Sequence, residues 1–167
     1  MVPTGIAERI AYGRPLDLDD ERADDAPIHL VPRSGTALVG RILIAAIFIV
    51  SGIAKLTDTA GAAGYMTAVG IPNADVLAVI AGIADVAGGI AILSGFLTRL
   101  AALGLIAVLI PTTLLFHAFW TLDGAEAKAQ MVNFMKNLAI LGGLAMVFAN
   151  GPGRYSIDAK LRRPMQP

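Results

Sequence analysis

The chain has 167 residues, of which 56% are apolar, 18 are glycine and only 16% are charged. Soluble domains carry about a quarter charged residues, so this composition, with a mean hydropathy of +0.68, excludes an ordinary soluble domain and points to lipid as the main solvent. The formal net charge is zero and there is no cysteine, which excludes disulfides, thiol relays, Cys-ligated zinc and iron–sulfur clusters from this chain.

The charges divide the chain into three regions. Residues 1–37 hold eleven charges, seven acidic and four basic, residues 38–150 hold ten, and residues 151–167 hold five. The leading segment, acidic from Asp17 to Asp25 and punctuated by Pro3, Pro15, Pro27 and Pro32, lacks the apolar surface that offsets ordering entropy. It reads as a disordered cytoplasmic tail over 1–37, with a short amphipathic helix expected near Ile6–Tyr12. No basic face of useful size exists apart from the short C-terminal tail at 151–167, so nucleic acid is excluded as a partner.

Four windows meet the length rule for a membrane-spanning helix: about 38–56, 76–97, 100–120 and 132–150. The predicted fold class is therefore all-α, an integral membrane bundle of four transmembrane helices. The first window follows a charged preface and is not a cleaved signal peptide. With both termini cytoplasmic, the inner side collects Arg33, Arg41, Arg99, Arg154, Lys160, Arg162 and Arg163, and the outer side Lys55, Lys128 and Lys136. Seven against three favours N-in and C-in in the cell's inner membrane. The turn at Leu97–Arg99 is then internal, and 57–75 and 121–131 are outer loops.

A weak internal repeat is compatible with two helical hairpins: Arg41 and Arg99 open spans one and three, and Gly88-Gly89 and Gly142-Gly143 lie in spans two and four. Sequence this rich in Ala, Leu, Ile and Gly also aligns with itself through composition alone.

Several segments together resemble the DoxX family of small four-helix bacterial membrane proteins. They are Arg41 to Lys55 with Ser51-Gly52, Asp85 ahead of Gly88-Gly89, Phe134-Met-Lys136-Asn137 through Gly142-Gly143, and Gly151-Pro-Gly-Arg154-Tyr-Ser156-Ile-Asp158. The resemblance runs from about Leu38 to Asp158. It implies the four-helix fold and, from some members, association with membrane oxidoreductase assemblies, including quinone-linked and oxidative-stress complexes. The acid of span two is often glutamate in the family, so Asp85 is shorter by a methylene.

An ionisable group at the centre of a span costs at least about 2.5–3.5 kcal/mol on insertion scales. Asp85, nine residues past Val76, sits roughly 14 Å into its span. It is read either as an ion-pair or proton-handling carboxylate or as an acid that fixes packing. Lys55 or Lys136 could supply the pairing cation.

Ser51 with Lys55, Thr113 with His117, and Asn133 with Asn137 each share a helix face. On the predicted topology these polar groups converge with Lys136 in one outer vestibule. The candidate binding residues are therefore Ser51, Lys55, Asp85, His117, Lys136 and Asn137, with Asp85 and His117 the candidates for chemistry. Imidazole titrates near neutral pH and suits proton delivery to a quinone or similar carbonyl. The competing reading has Lys55 and Lys136 snorkelling to headgroups, Trp120 in an interfacial belt, His117 satisfied at a helix end, and Pro111 merely bending its helix.

His29 lies in the leading tail, so a bis-His haem site within the chain is not expected, and no zinc or dinucleotide fingerprint is present. Two functions follow. One is a membrane subunit of an oxidoreductase assembly, with a quinone as the compatible cofactor and a soluble or membrane oxidoreductase as partner. The other is a non-enzymatic small-solute carrier or scaffold. The glycine faces of spans two to four suit close helix packing and a homo-oligomer.

Overall fold

A computed structural model of the chain describes residues 33–162. Six helices follow in order: α1 Arg33–Thr57, α2 Thr59–Ala68, α3 Ala74–Ser94, α4 Thr98–Phe116, α5 Gly124–Asn150 and the short α6 Ile157–Leu161, with a single 3₁₀ turn at Phe119–Thr121 between α4 and α5. Four segments are long and apolar enough to cross a membrane: Ser34–Thr57, Ala74–Ser94, Thr98–Thr121 and Gly124–Asn150. The molecule is the all-α membrane bundle that the apolar runs predict. The leading tail up to residue 32, with its expected amphipathic helix and His29, lies outside the described residues. The last five residues of that expected tail, 33–37, already belong to α1.

Large apolar side chains such as Leu43, Val50, Val76, Leu100 and Met146 are more than half exposed on the helix surfaces. In water that surface would drive association; in a bilayer it is the lipid-facing coat. The buried core is correspondingly small. Ala45 and Phe48 of α1, Ile92 of α3, Ala102, Leu105 and Leu109 of α4 and Leu144 of α5 form one cluster. Ala63 and Met66 of α2 form a second with Ala74 and Ala78 of α3.

The helices pair as two hairpins, α1 against α3 and α4 against α5, joined along α3 and α4. The α1–α3 contact depends on missing side chains. A Cβ on Gly52 would lie 2.6 Å from the Gly82 carbonyl oxygen and 2.8 Å from the Val86 nitrogen. Glycine at this point lets the two backbones approach closely where lipid offers no hydrophobic drive to associate.

The α3–α4 turn is held from the far end of the chain. Gly95, at φ +71°, ends α3, and its N–H and that of Phe96 both donate to the Ala91 oxygen. Leu97 then adopts φ +46°, a conformation costly for a side chain of its size. Its N–H donates to Asp158 Oδ1 at 2.9 Å, while the Thr98 N–H and hydroxyl donate to Asp158 Oδ2 at 3.0 and 2.8 Å. Asp158 thus caps α4 from 60 residues away, and its own N–H returns a bond to the Gly95 oxygen at 2.9 Å.

Arg41 completes this clasp at the end of the bundle, buried rather than exposed to headgroups. It is 1% exposed. Its guanidinium donates to the Tyr155 oxygen and, at 3.4 Å, to the Ile92 oxygen. The segment Gly151 to Asp158 is therefore more than a stop after the last span: it ties α1, α3 and α4 together.

The expected outer loop at 57–75 is corrected. Ten of its residues form α2, whose N-cap Asp58 accepts a hydrogen bond from the Gly61 N–H at 2.9 Å. α2 buries Ala63 and Met66 against α3.

Candidate functional site

A cavity of about 370 Å³ opens among α1, α2, α3, α4 and α5. Ser51, Lys55, Asp85, His117 and Asn137, five of the six residues expected to form a binding site, all line it. Lys136 does not. It is exposed on α5, because the polar stripe Gln130, Asn133, Asn137 faces α4 and the next position is rotated by about 100°.

The first polar pole belongs to α1 and α3. Lys55 Nζ lies 2.9 Å from Asp85 Oδ2 and 2.6 Å from Ser51 Oγ. Ser51 Oγ is itself 3.5 Å from the same carboxylate oxygen. Position decides the pairing: Ser51 and Lys55 are one helical turn apart, and the close approach at Gly52 and Gly82 brings their face onto Asp85, midway along α3. The Asp85 side chain is 8% exposed and that of Lys55 26%. A carboxyl group at that depth is costly to bury without a partner, and of the two expected cations it is Lys55 that pairs. Asp85 Oδ1 accepts no hydrogen bond from the described residues and stays available to a bound molecule.

The second pole belongs to α4 and α5. His117, the C-cap of α4, places Nδ1 2.8 Å from Gln130 Oε1. Its Nε2 has no hydrogen bond among the described residues. Asn137 Nδ2 donates to Thr113 Oγ1 at 3.1 Å, and that hydroxyl donates to the Leu109 oxygen at 2.6 Å. Asn133 Nδ2 reaches Gln130 Oε1 at 3.4 Å. The result is a polar seam from the α5 stripe onto the cavity wall, oriented by the side-chain amides.

Between the poles the walls are apolar, formed among others by Ile47, Phe48, Met66, Val108, Leu109 and Ile140. α2 covers one side. Its Tyr65 ring stacks on Phe116 with centroids 5.1 Å apart, and the Tyr65 hydroxyl reaches the Phe116 oxygen at 3.5 Å. Mostly apolar walls with a few convergent polar groups are the usual form of a small-molecule site.

Sequence reasoning missed Tyr65, Met66, Phe116 and Gln130 as part of this environment. Apolar spacing at Ala62, Ala63 and Met66 is a helical signal, but the glycines at 61, 64 and 70 obscured it. Gln130 could have been found from its spacing with Asn133 and Asn137. Trp120 lies outside the cavity lining, 57% exposed, with its ring edge-on to Phe119 and Phe134 at 5.3 and 5.9 Å. α4 continues through Pro111, which is exposed and absent from the cavity wall.

The family model described as DoxX matches residues 36–118. The chain is similar to inner membrane protein YqjF of Escherichia coli (strain K12), 42% identical over 126 residues that cover 75% of this chain and 92% of the relative. Inner membrane protein YphA of the same organism is 33% identical, with 74% of this chain and 88% of the relative covered. An uncharacterized membrane protein of Mycobacterium tuberculosis, Rv3486, is 30% identical over 74% of this chain and 79% of its own length. No solved structure gives a significant match.

Proposed function

The chain belongs to the DoxX family, and from that premise we propose that it is a ligand-binding subunit of an inner-membrane oxidoreductase assembly. Its cavity holds a small organic molecule with an apolar body and hydrogen-bonding oxygens, a quinone being the class that suits such an assembly. What carries the reading is one observation: the Lys55–Asp85–Ser51 pole and the His117–Asn137 pole line one apolar-walled cavity.

Lys55 Nζ, with two of its three N–H donors spent on Ser51 and Asp85, has one left for a carbonyl oxygen on the α1–α3 wall. On the α4–α5 wall, Gln130 fixes the imidazole of His117 through Nδ1 and leaves Nε2 to exchange a proton with the ligand. Asn137, tethered to Thr113, supplies orientation. The apolar walls and the α2 cover shield the carboxylate of Asp85, 8% exposed, more than the ammonium of Lys55, 26% exposed. Held between Lys55 and His117, a quinone would provide an electron acceptor, its electrons coming from a partner oxidoreductase and its protons through His117 Nε2.

Both termini are proposed to be cytoplasmic, on the weight of Arg99, Arg154, Lys160 and Arg162 at one end of the bundle. A second copy can pack against α4 and α5, where Gly104 and Gly142 have no neighbour within 4 Å.

The test is purification from native membranes in mild detergent, followed by mass spectrometry of every protein and small molecule that co-elutes. A stoichiometric quinone and an oxidoreductase are expected, with the quinone depleted in Asp85→Asn and His117→Ala. Elution of the chain with bulk phospholipid alone would overturn the reading in favour of a solute carrier or scaffold.

A further inference from the structure

A second concavity, of about 420 Å³, lies away from the Lys55–Asp85 site, where α4 begins and α5 ends. We infer that it is a binding site for the phosphate of an anionic phospholipid, with Arg99 and Arg162 as its cations. The inference stands apart from the proposed function of the main cavity.

Three observations carry it. Arg99 and Arg162 line the same groove, and their donors are largely unspent. Arg99 gives one hydrogen bond, Nη2 to the Ala149 oxygen at 3.2 Å, out of five N–H donors that match phosphate geometry. The side chain of Arg162 gives none within the described residues.

The acid in the groove is already committed. Both Asp158 oxygens accept hydrogen bonds from Leu97 and Thr98 at the start of α4. The helix end is thereby occupied by a carboxylate of the chain itself, which the charge of Arg162 also stabilises, and two guanidinium groups against one carboxylate leave the groove with a net positive charge for an external anion.

The third observation selects a lipid over free phosphate. The groove sits at the ends of two spans, Thr98–Thr121 and Gly124–Asn150, at the level where headgroups lie. Its rim carries Leu97 and Leu100, 53% and 65% exposed. A free anion has no use for that apolar rim. A phospholipid places its phosphate on the arginines and its acyl chains along the leucines.

The test uses the full chain in neutral detergent, as wild type, as Arg99→Gln/Arg162→Gln and as Lys160→Gln, the last an exposed cation outside the groove lining. Thermal midpoints are followed during titration with phosphatidylglycerol, phosphatidylcholine or inorganic phosphate. Phosphatidylglycerol should raise the midpoint of the wild type and of Lys160→Gln. The half-maximal concentration should move about fivefold per arginine removed. Phosphatidylcholine and inorganic phosphate should leave the midpoint unchanged.

An equal response of the double variant and Lys160→Gln would overturn the site. So would a wild type indifferent to phosphatidylglycerol. A wild-type response to inorganic phosphate at the same concentrations would overturn the lipid assignment. If the double variant does not fold, Arg162→Gln alone, at an exposed position, gives the same comparison.

Discussion

Lys55 Nζ stands 2.9 Å from Asp85 Oδ2, and the carboxylate side chain is 8% exposed midway along a membrane-spanning helix. Neither charge would be stable there alone, so the pair is a condition of the fold as well as a feature of the site. Removing one partner of a buried ion pair costs about 3–5 kcal/mol, and the 26% exposure of Lys55 places Asp85→Ala at the lower end, about 3 kcal/mol. A falling thermal midpoint and lower folded yield in detergent are expected. The double variant Lys55→Met/Asp85→Leu should recover most of that stability and still fail to retain the cavity ligand. Wild-type melting of Asp85→Ala would show that the pair does not hold the bundle.

Gly52 makes the pairing geometrically available. A Cβ there would sit 2.6 Å from the Gly82 oxygen and 2.7 Å from Val86 Cγ2, so Gly52→Ala must push α1 from α3, at a cost of about 1–3 kcal/mol or more. Gly40→Ala, in the same helix, is the control, since nothing lies within 4 Å of that position. It should be neutral or gain up to about 1 kcal/mol from helix propensity. Thermal melts of the two variants side by side test the asymmetry, and equal midpoints would contradict it.

What could be read in the sequence follows the range of the forces involved. Uninterrupted apolar length specifies a span locally, so the four spans and the depth of Asp85 were legible. The shared face of Ser51 and Lys55 was equally plain, being one helical turn. Which lysine meets Asp85 was not, because that depends on how α5 is rolled, and the roll turns Asn137 toward α4 and Lys136 away. α2 was hidden by Gly61 and Gly64, whose propensity opposes a helix that tertiary packing of Ala63 and Met66 restores. The link from Arg41 to Tyr155 spans 114 residues, and no local pattern announces it.

Asp158 gives the fold a predicted dependence on acid. Burial alone would raise its pKa, but the Thr98 N–H and hydroxyl, the Leu97 N–H and the charge of Arg162 outweigh burial and hold it below the ordinary carboxylate value of 3.8. A carboxyl group with a lowered folded-state pKa contributes stability that is complete above its unfolded value and is lost as pH falls through the folded value. The stability difference between wild type and Asp158→Asn should therefore be constant from neutral pH down to about 5 and shrink below about 4. At neutral pH, loss of the cap in Asp158→Ala should cost about 1 kcal/mol. A difference that grows on acidification would reverse the sign and overturn the assignment of Asp158 as the charged cap of α4.

The proposed orientation is testable in the native background, because the chain contains no cysteine and any thiol introduced is the sole target of a maleimide within it. Lys128, exposed near the start of α5, and Lys160, exposed in α6, lie at opposite ends of the bundle. With both termini cytoplasmic, Lys128→Cys should react with a membrane-impermeant maleimide on intact spheroplasts, and Lys160→Cys should react only after permeabilisation. Neither position lines the cavity, so the readout reports sidedness. The reverse labelling pattern would place Arg99 and Arg162 outside, against the charge rule, and would turn the α2-covered mouth of the cavity toward the cytoplasm.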